Sequence, residues 1–391
     1  MESFDLLFPT HIHFGRDVVD QVGEAVKGIG TTVMVVFGQN SVIRSGLYAR
    51  VEQCLIASGC TVVRGGGVLP NPTYAKVLAL SEVAREHQVD CLLALGGGSV
   101  IDTAKALAGL LVASDPKQYW TDHFENYKPV VQALPLAVVL TIPASGSETS
   151  DSCVISDTKT GMKRIASGSA LTPRASLLDP TLTLNLPTYQ TACGICDMLS
   201  HLQERYFIPL AENNLTDRIL ESVMRHIIDN GPLVLSHPDS YHLRSEIMWA
   251  GTLAHSTLLD RGRGGGDWAC HMIEHALSGF CEVAHGAGLA ILIPAWLRYV
   301  APLHPQIFLQ YAFRVWHIEL PLVSFEDVLE RLIYSMKSFY RGLGLPTQLR
   351  EIGIEGADLP AIAQAAAGSY PIGSLQQLDA KQVLDILQLA F

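Results

Sequence analysis

Asp197 and His201 stand four residues apart in Gly194-Ile195-Cys196-Asp197-Met198-Leu199-Ser200-His201. On a helix that spacing sends both side chains from one face. His271 and His285 follow about seventy residues later, in Cys270-His271-Met272-Ile273-Glu274-His275 and Ala284-His285-Gly286-Ala287-Gly288. Three imidazoles and one carboxylate suit a single divalent ion of the zinc or ferrous type, with a place left for a substrate oxygen. An Asp-x-x-x-His pair alone carries little weight, since many solvated helix faces hold one. Here it occurs together with a glycine loop of the kind that receives phosphate.

That loop is Gly96-Gly97-Gly98-Ser99, after the apolar run Asp90–Leu95 and before the helical stretch Val100–Ala106. Consecutive glycines let backbone N–H groups approach an anion, and a helix N-terminus adds a favourable dipole. Ser99, with Asp102 three residues on, is expected to cap the helix. The loop is neither G-x-G-x-x-G nor a Walker sequence. A second candidate contact is Thr141-Ile142-Pro143-Ala144-Ser145-Gly146-Ser147-Glu148-Thr149, at the end of the run Leu136–Ile142. In open parallel sheets ligands bind beyond the carboxyl ends of the strands, where both loops would fall.

The elements that must position these residues change character near Pro187. Before it, the runs Thr31–Phe37, Thr61–Val63, Asp90–Leu95, Leu136–Ile142 and Ser176–Leu178 alternate with helical stretches. Near-continuous apolar runs of that length fit a parallel sheet covered on both faces. After it, long helical periodicities are punctuated by Gly and Pro, with no convincing strand. The expectation is an α/β dinucleotide-binding domain over 1–187 and an all-helical, metal-binding domain over 188–391. Phe8–Gly15 alternates like an exposed edge strand.

Composition sets the outer limits. With 391 residues, 48% of them apolar and 17% charged, two domains with large cores are expected. A formal charge of −11 argues against a nucleic-acid partner. Met1-Glu2-Ser3-Phe4-Asp5 has no basic or apolar leader character, and the greasiest run, Ala287–Leu297, contains Pro294 and reads as too short to span a bilayer. Eight dispersed cysteines suggest reduced thiols in a cytoplasm. Cys193-Gly194-Ile195-Cys196 mimics a redox pair, but two packed thiols are the simpler expectation.

GGGSVIDTAKA (96–106), TIPASGSETS (141–150), LLDPTLTLNLP (177–187), the Asp197/His201 helix and HMIEHALSGFCEVAHGAGLAILIP (271–294) together resemble the iron-containing, group III alcohol dehydrogenases. The resemblance runs along essentially the whole chain, and segments 267–272 and 311–316 point to the butanol dehydrogenase and broad-range NADPH aldehyde reductase branch. It implies a Rossmann-like domain joined to a helical domain in the dehydroquinate synthase-like fold, a dinucleotide, one divalent metal (iron or zinc) and a homodimer. It places metal ligands at Asp197, His201, His271 and His285. It maps dinucleotide contacts to Gly97, Gly98, Ser99, Asp102, Thr141, Ser145 and Lys163.

In dinucleotide enzymes an acid after an early strand binds the ribose 2′-hydroxyl and repels a 2′-phosphate. Here Thr31–Phe37 is followed by Gly38-Gln39-Asn40-Ser41-Val42-Ile43-Arg44, with no acid. Ser41 can hydrogen-bond a phosphate and Arg44 can pair with it, which favours NADP over NAD. The branch commonly carries glycines where Gln39 and Asn40 stand and lysines where Ile43 and Arg44 stand. The expected reaction is reversible reduction of an aldehyde to a primary alcohol, with His275, one helical turn from His271, relaying the proton. A glycerol dehydrogenase or a dehydroquinate synthase-like lyase is the alternative on the same fold. A remoter rival is a zinc peptidase, because His271–His275 is a literal H-x-x-E-H with Glu274 as base.

Overall fold

A computed structural model describes residues 3–157, 162–209, 215–262, 264–281, 283–319 and 324–391. Two compact units divide the chain: Leu7–Leu186, and Pro187–Phe391 with the first residues of the chain.

The first unit holds a six-stranded sheet in which every neighbouring pair is parallel, in the order β1-β8-β5-β4-β2-β3. Its strands are β1 (His11–Phe14), β2 (Thr32–Phe37), β3 (Thr61–Gly65), β4 (Cys91–Gly96), β5 (Leu136–Leu140) and β8 (Ala175–Leu178). The helices are α1 (Val22–Lys27), α2 (Ser41–Arg44), α3 (Leu47–Ala57), α4 (Tyr74–Glu86), α5 (Gly98–Val112) and α6 (Pro116–Trp120). Alternate strand residues Val33, Val35, Phe37, Leu93, Leu95 and Val139 pack on α1 and α3, while α4 and α5 lie against the sheet through β3 and β4. Coverage of both faces explains why these strands are apolar at almost every position rather than at every second one. β1 is an edge strand, as its alternation suggested, paired on one side to β8.

Two expectations need correcting here, and one pair of strands was unforeseen. The cap of α5 is Gly97, with no side-chain hydrogen bond. Ser99 and Asp102 do not cap it, because the helix already starts at Gly98 and Asp102 is spent on another segment. β5 ends at Leu140, two residues before the sequence suggested, which releases Thr141 and Ile142 into the loop. An antiparallel hairpin, β6 (Ser152–Ser156) with β7 (Lys163–Ser167), was not anticipated. Its strands are five residues long and carry Ser, Lys and Arg among the apolar positions, a pattern that reads as loop.

The second unit is helical among its described residues. It runs through α7 (Thr188–Tyr206), α8 (Leu215–Ser236), α9 (Tyr241–Ala254), α10 (Ala269–Leu277), α11 (His285–Val300), α12 (Pro305–Trp316), α13 (Phe325–Gly342), α14 (Leu359–Ala367) and α15 (Ala380–Ala390). α7 and α11 form its centre and are buried on nearly every side. Pro294 sits inside α11 without ending it, so with the following 3-10 turn the helix spans His285–Leu303. Contrary to the sequence expectation, that span is long and apolar enough to cross a membrane. Its apolarity is accounted for by burial in the core, around Leu289, Leu292, Trp296 and Leu297.

Candidate metal centre and dinucleotide loops

α7 carries Asp197 and His201 on one buried face, and α10 and α11 bring His271 and His285 to meet them. The close approach depends on Gly286, where a β-carbon would stand 2.0 Å from the carbonyl oxygen of Cys193 on α7. Only a glycine lets the first turn of α11 lie flat enough for His285 to reach Asp197. Asp197 Oδ1 is 3.8 Å from His201 Nε2, 4.0 Å from His271 Nε2 and 3.6 Å from His285 Nε2. Donors at these separations can share one ion at bond lengths of about 2.0–2.2 Å. The donor set therefore fits a divalent metal.

Two carboxylates behind the histidines orient them. His271 Nδ1 lies 3.1 Å from Glu204 Oε1, which also accepts the His271 backbone N–H at 3.0 Å. His285 Nδ1 is held in the same way by Glu274, whose other oxygen accepts from Ser278 Oγ. With Nδ1 committed to a carboxylate, Nε2 of each ring is the nitrogen left to bind a metal, the usual support of a metal-binding histidine. His201 is fixed differently, stacked on His255 with ring centroids 4.4 Å apart and 11° between planes. Burial, with the neighbouring imidazoles of His255 and His271, pushes His201 well below the usual histidine range, so its lone pair is available. Glu204 and His255 had no signal in the sequence beyond their residue types. Glu204 is legible only after α7 is laid out, one turn past His201 and facing α10.

Glu274, His275 and His285 form a second cluster of donors. The ring of His275 is 5.5 Å from that of His285. This arrangement overturns the peptidase reading. His271 turns toward Asp197 and His275 toward His285, and the buried Glu274 is bonded to His285 and Ser278 rather than free to act as a base. Cys193 and Cys196 are buried free thiols. Burial raises Cys193 to about 11 and Cys196 well above the usual thiol value, so they pack rather than react.

In the first unit Gly38, Gly97 and Thr141 directly follow the carboxyl ends of β2, β4 and β5, whereas Asp102 lies within α5 and Lys163 on β7. Gly97 and Gly98 close the turn into α5. A β-carbon on Gly98 would come within 2.6 Å of Ser145 Oγ, so the glycine turn and the Thr141–Thr149 loop lie against each other. Ser99 is in the first turn of α5, and Thr141 donates its N–H to Gly96 O. Asp102 accepts from Ser147 Oγ at 2.7 Å and from the Val154 N–H at 2.9 Å. Lys163 opens β7 opposite Ser156. Gly38 follows β2, and exposed Ser41 and Arg44 sit three residues apart on the single turn of α2.

The comparison with known proteins matches this geometry. Residues 9–180 match the family described as iron-containing alcohol dehydrogenase, and residues 191–391 its C-terminal domain. The chain belongs to the iron-containing alcohol dehydrogenase family. It is 36% identical over its full length to NADH-dependent butanol dehydrogenase A of Clostridium acetobutylicum, all of which it covers. It is 33% identical to the NADPH-dependent aldehyde reductase YqhD of Escherichia coli, over 93% of this chain and 92% of that one. The crystal structure of NADH-dependent butanol dehydrogenase A from Thermotoga maritima superposes with a TM-score of 0.94 at 34% identity, covering 100% of this chain and 99% of that one. As a member of this family the protein is a metal-dependent oxidoreductase of alcohols and aldehydes that uses a nicotinamide cofactor.

Proposed function

We propose that the protein reduces small aldehydes to primary alcohols with NADPH, reversibly, around a metal held by Asp197, His201, His271 and His285. The observation that carries this reading is the approach of three histidine Nε2 atoms to one oxygen of Asp197. When bound, the metal supplies Lewis acidity at the carbonyl oxygen and the reduced nicotinamide supplies the hydride. The remaining work belongs to side chains of this chain. Glu204 and Glu274 hold His271 and His285 in the required orientation. His275 is the group to deliver the proton that the new alcohol needs. Iron is the metal proposed, in keeping with the family's description.

Relatives carry both NADH and NADPH in their names, so the choice of nucleotide falls to residues after β2. No acid stands between Gly38 and Arg44, and Ser41 with Arg44 on α2 presents a hydroxyl and a guanidinium from one turn. That combination suits a 2′-phosphate. The test is butanal reduction followed with each nucleotide in wild type and Arg44→Ala. Loss of a charged hydrogen bond of about 1–3 kcal/mol should raise KM for NADPH and spare NADH. An equal effect on both removes Arg44 from this role. We further infer a cytoplasmic homodimer, with edge strand β1 as the docking element. A monomer in light scattering would rule out the dimer.

A further inference from the structure

Lys105 lies on the second turn of α5 with none of its surface exposed, and neither the metal cluster nor the anion-facing backbone uses it. Its Nζ donates to the Ser150 carbonyl at 2.7 Å, to Ser150 Oγ at 3.1 Å and to the Ser152 carbonyl at 2.9 Å. An ammonium has three protons to donate, and here it has three acceptors. A buried cation is tolerated only when it is satisfied in this way. Burial draws the amine below the usual lysine range, while the surrounding Asp102, Cys153, Asp151 and Glu148 oppose that pull. One turn earlier, Asp102 takes the Ser147 hydroxyl and the Val154 N–H. α5 thus grips residues 147–154 by two opposite charges on one helical face. The gripped segment continues the Thr141–Thr149 loop, whose Ser145 abuts Gly98 at the start of the same helix.

We propose that Lys105 is a positioning residue for the nicotinamide dinucleotide: its buried ammonium is a strut that sets the separation of the Gly97–Ser99 turn and the Thr141–Ser145 loop. The proposal rests on the dinucleotide reading of those two loops. Methionine at 105 would fill the space but leave three oxygens without donors. The segment 150–152 would then turn toward water and carry the loop with it. Arginine would keep the charge, yet its planar fork cannot aim three protons at acceptors grouped about one point.

The test is titration of the full-length protein with NADPH and with NADH by nicotinamide fluorescence, beside thermal unfolding and metal content. Lys105→Met is expected to weaken both nucleotides about 10-fold or more, because displacement of a binding wall by an ångström is costly. Ser150→Ala, which removes one acceptor and leaves the lysine, is expected to weaken both by a smaller factor, with metal content unchanged in each case. A lowered melting temperature with unaltered nucleotide affinity in Lys105→Met would make the residue merely structural and overturn the proposal. Should Lys105→Met show no cooperative melt, unaltered affinity in Ser150→Ala overturns it instead. Gly98→Val separates the two levels of the argument. If it binds nucleotide normally, the loop reading itself fails. If it loses binding while the Lys105 and Ser150 variants keep theirs, only the strut fails.

Discussion

His201, packed between His255 and His271, is driven well below the usual histidine range by burial, which favours the neutral imidazole that the proposed metal would need. The four proposed ligand positions could be named from the sequence because the family resemblance marks them and because helix spacing puts Asp197 and His201 on one face. The residues that orient them could not. Glu204 and His255 act through contacts across 67 and 54 residues of chain respectively, and nothing local marks them. Glu274 was visible, but the literal H-x-x-E-H suggested a different role for it. His275 supplies the prediction at this scale. A general acid typically contributes about 10²–10⁴-fold, so His275→Ala should lower turnover by that order while metal content and nucleotide affinity stay at wild-type values. Metal analysis beside steady-state rates decides it. Loss of the metal would make His275 a ligand, and unchanged turnover would make it a packing residue.

At the scale of elements, apolar continuity marked the parallel strands well, because strands covered on both faces have no polar side. The β6–β7 hairpin escaped for the converse reason, its short strands being half polar. The helical unit owes part of its order to a buried acid at the entrance to α10. Asp267 accepts the N–H of Ala269 with one oxygen and those of Ser374 and Leu375 with the other, joining α10 to the segment before α15. Burial, and next the charge of Glu204, raise its carboxyl to about 6. A folded-state value above the unfolded one means that the folded chain holds this proton more tightly. The resulting stabilisation is present in acid and lost as the pH rises through about 6. Asp267→Asn should remove that component. The stability difference between wild type and variant, from denaturant melts, should shift in favour of wild type as the pH is lowered from 7 toward 4. A difference independent of pH would refute the raised carboxyl.

At the scale of the whole molecule, the division into a sheet-bearing unit and a helical unit follows from a change of periodicity at Pro187, and the switch in composition there has a physical cause. Strands buried on two faces need unbroken β-branched and aliphatic runs, whereas helices packed around α7 and α11 need stripes. Family membership supplies the reaction class, and the metal centre proposed for it is one carboxylate, three imidazoles and two carboxylates behind them, clustered within the helical unit. The most direct test of that claim is metal content, measured side by side on wild type and Asp197→Ala purified without chelator. Wild type should carry about one divalent ion per chain. The variant, left with three imidazoles and no carboxylate, should lose most of the metal together with aldehyde reduction, while NADPH affinity is retained. Full metal occupancy and near-normal turnover in Asp197→Ala would contradict the assignment of the site.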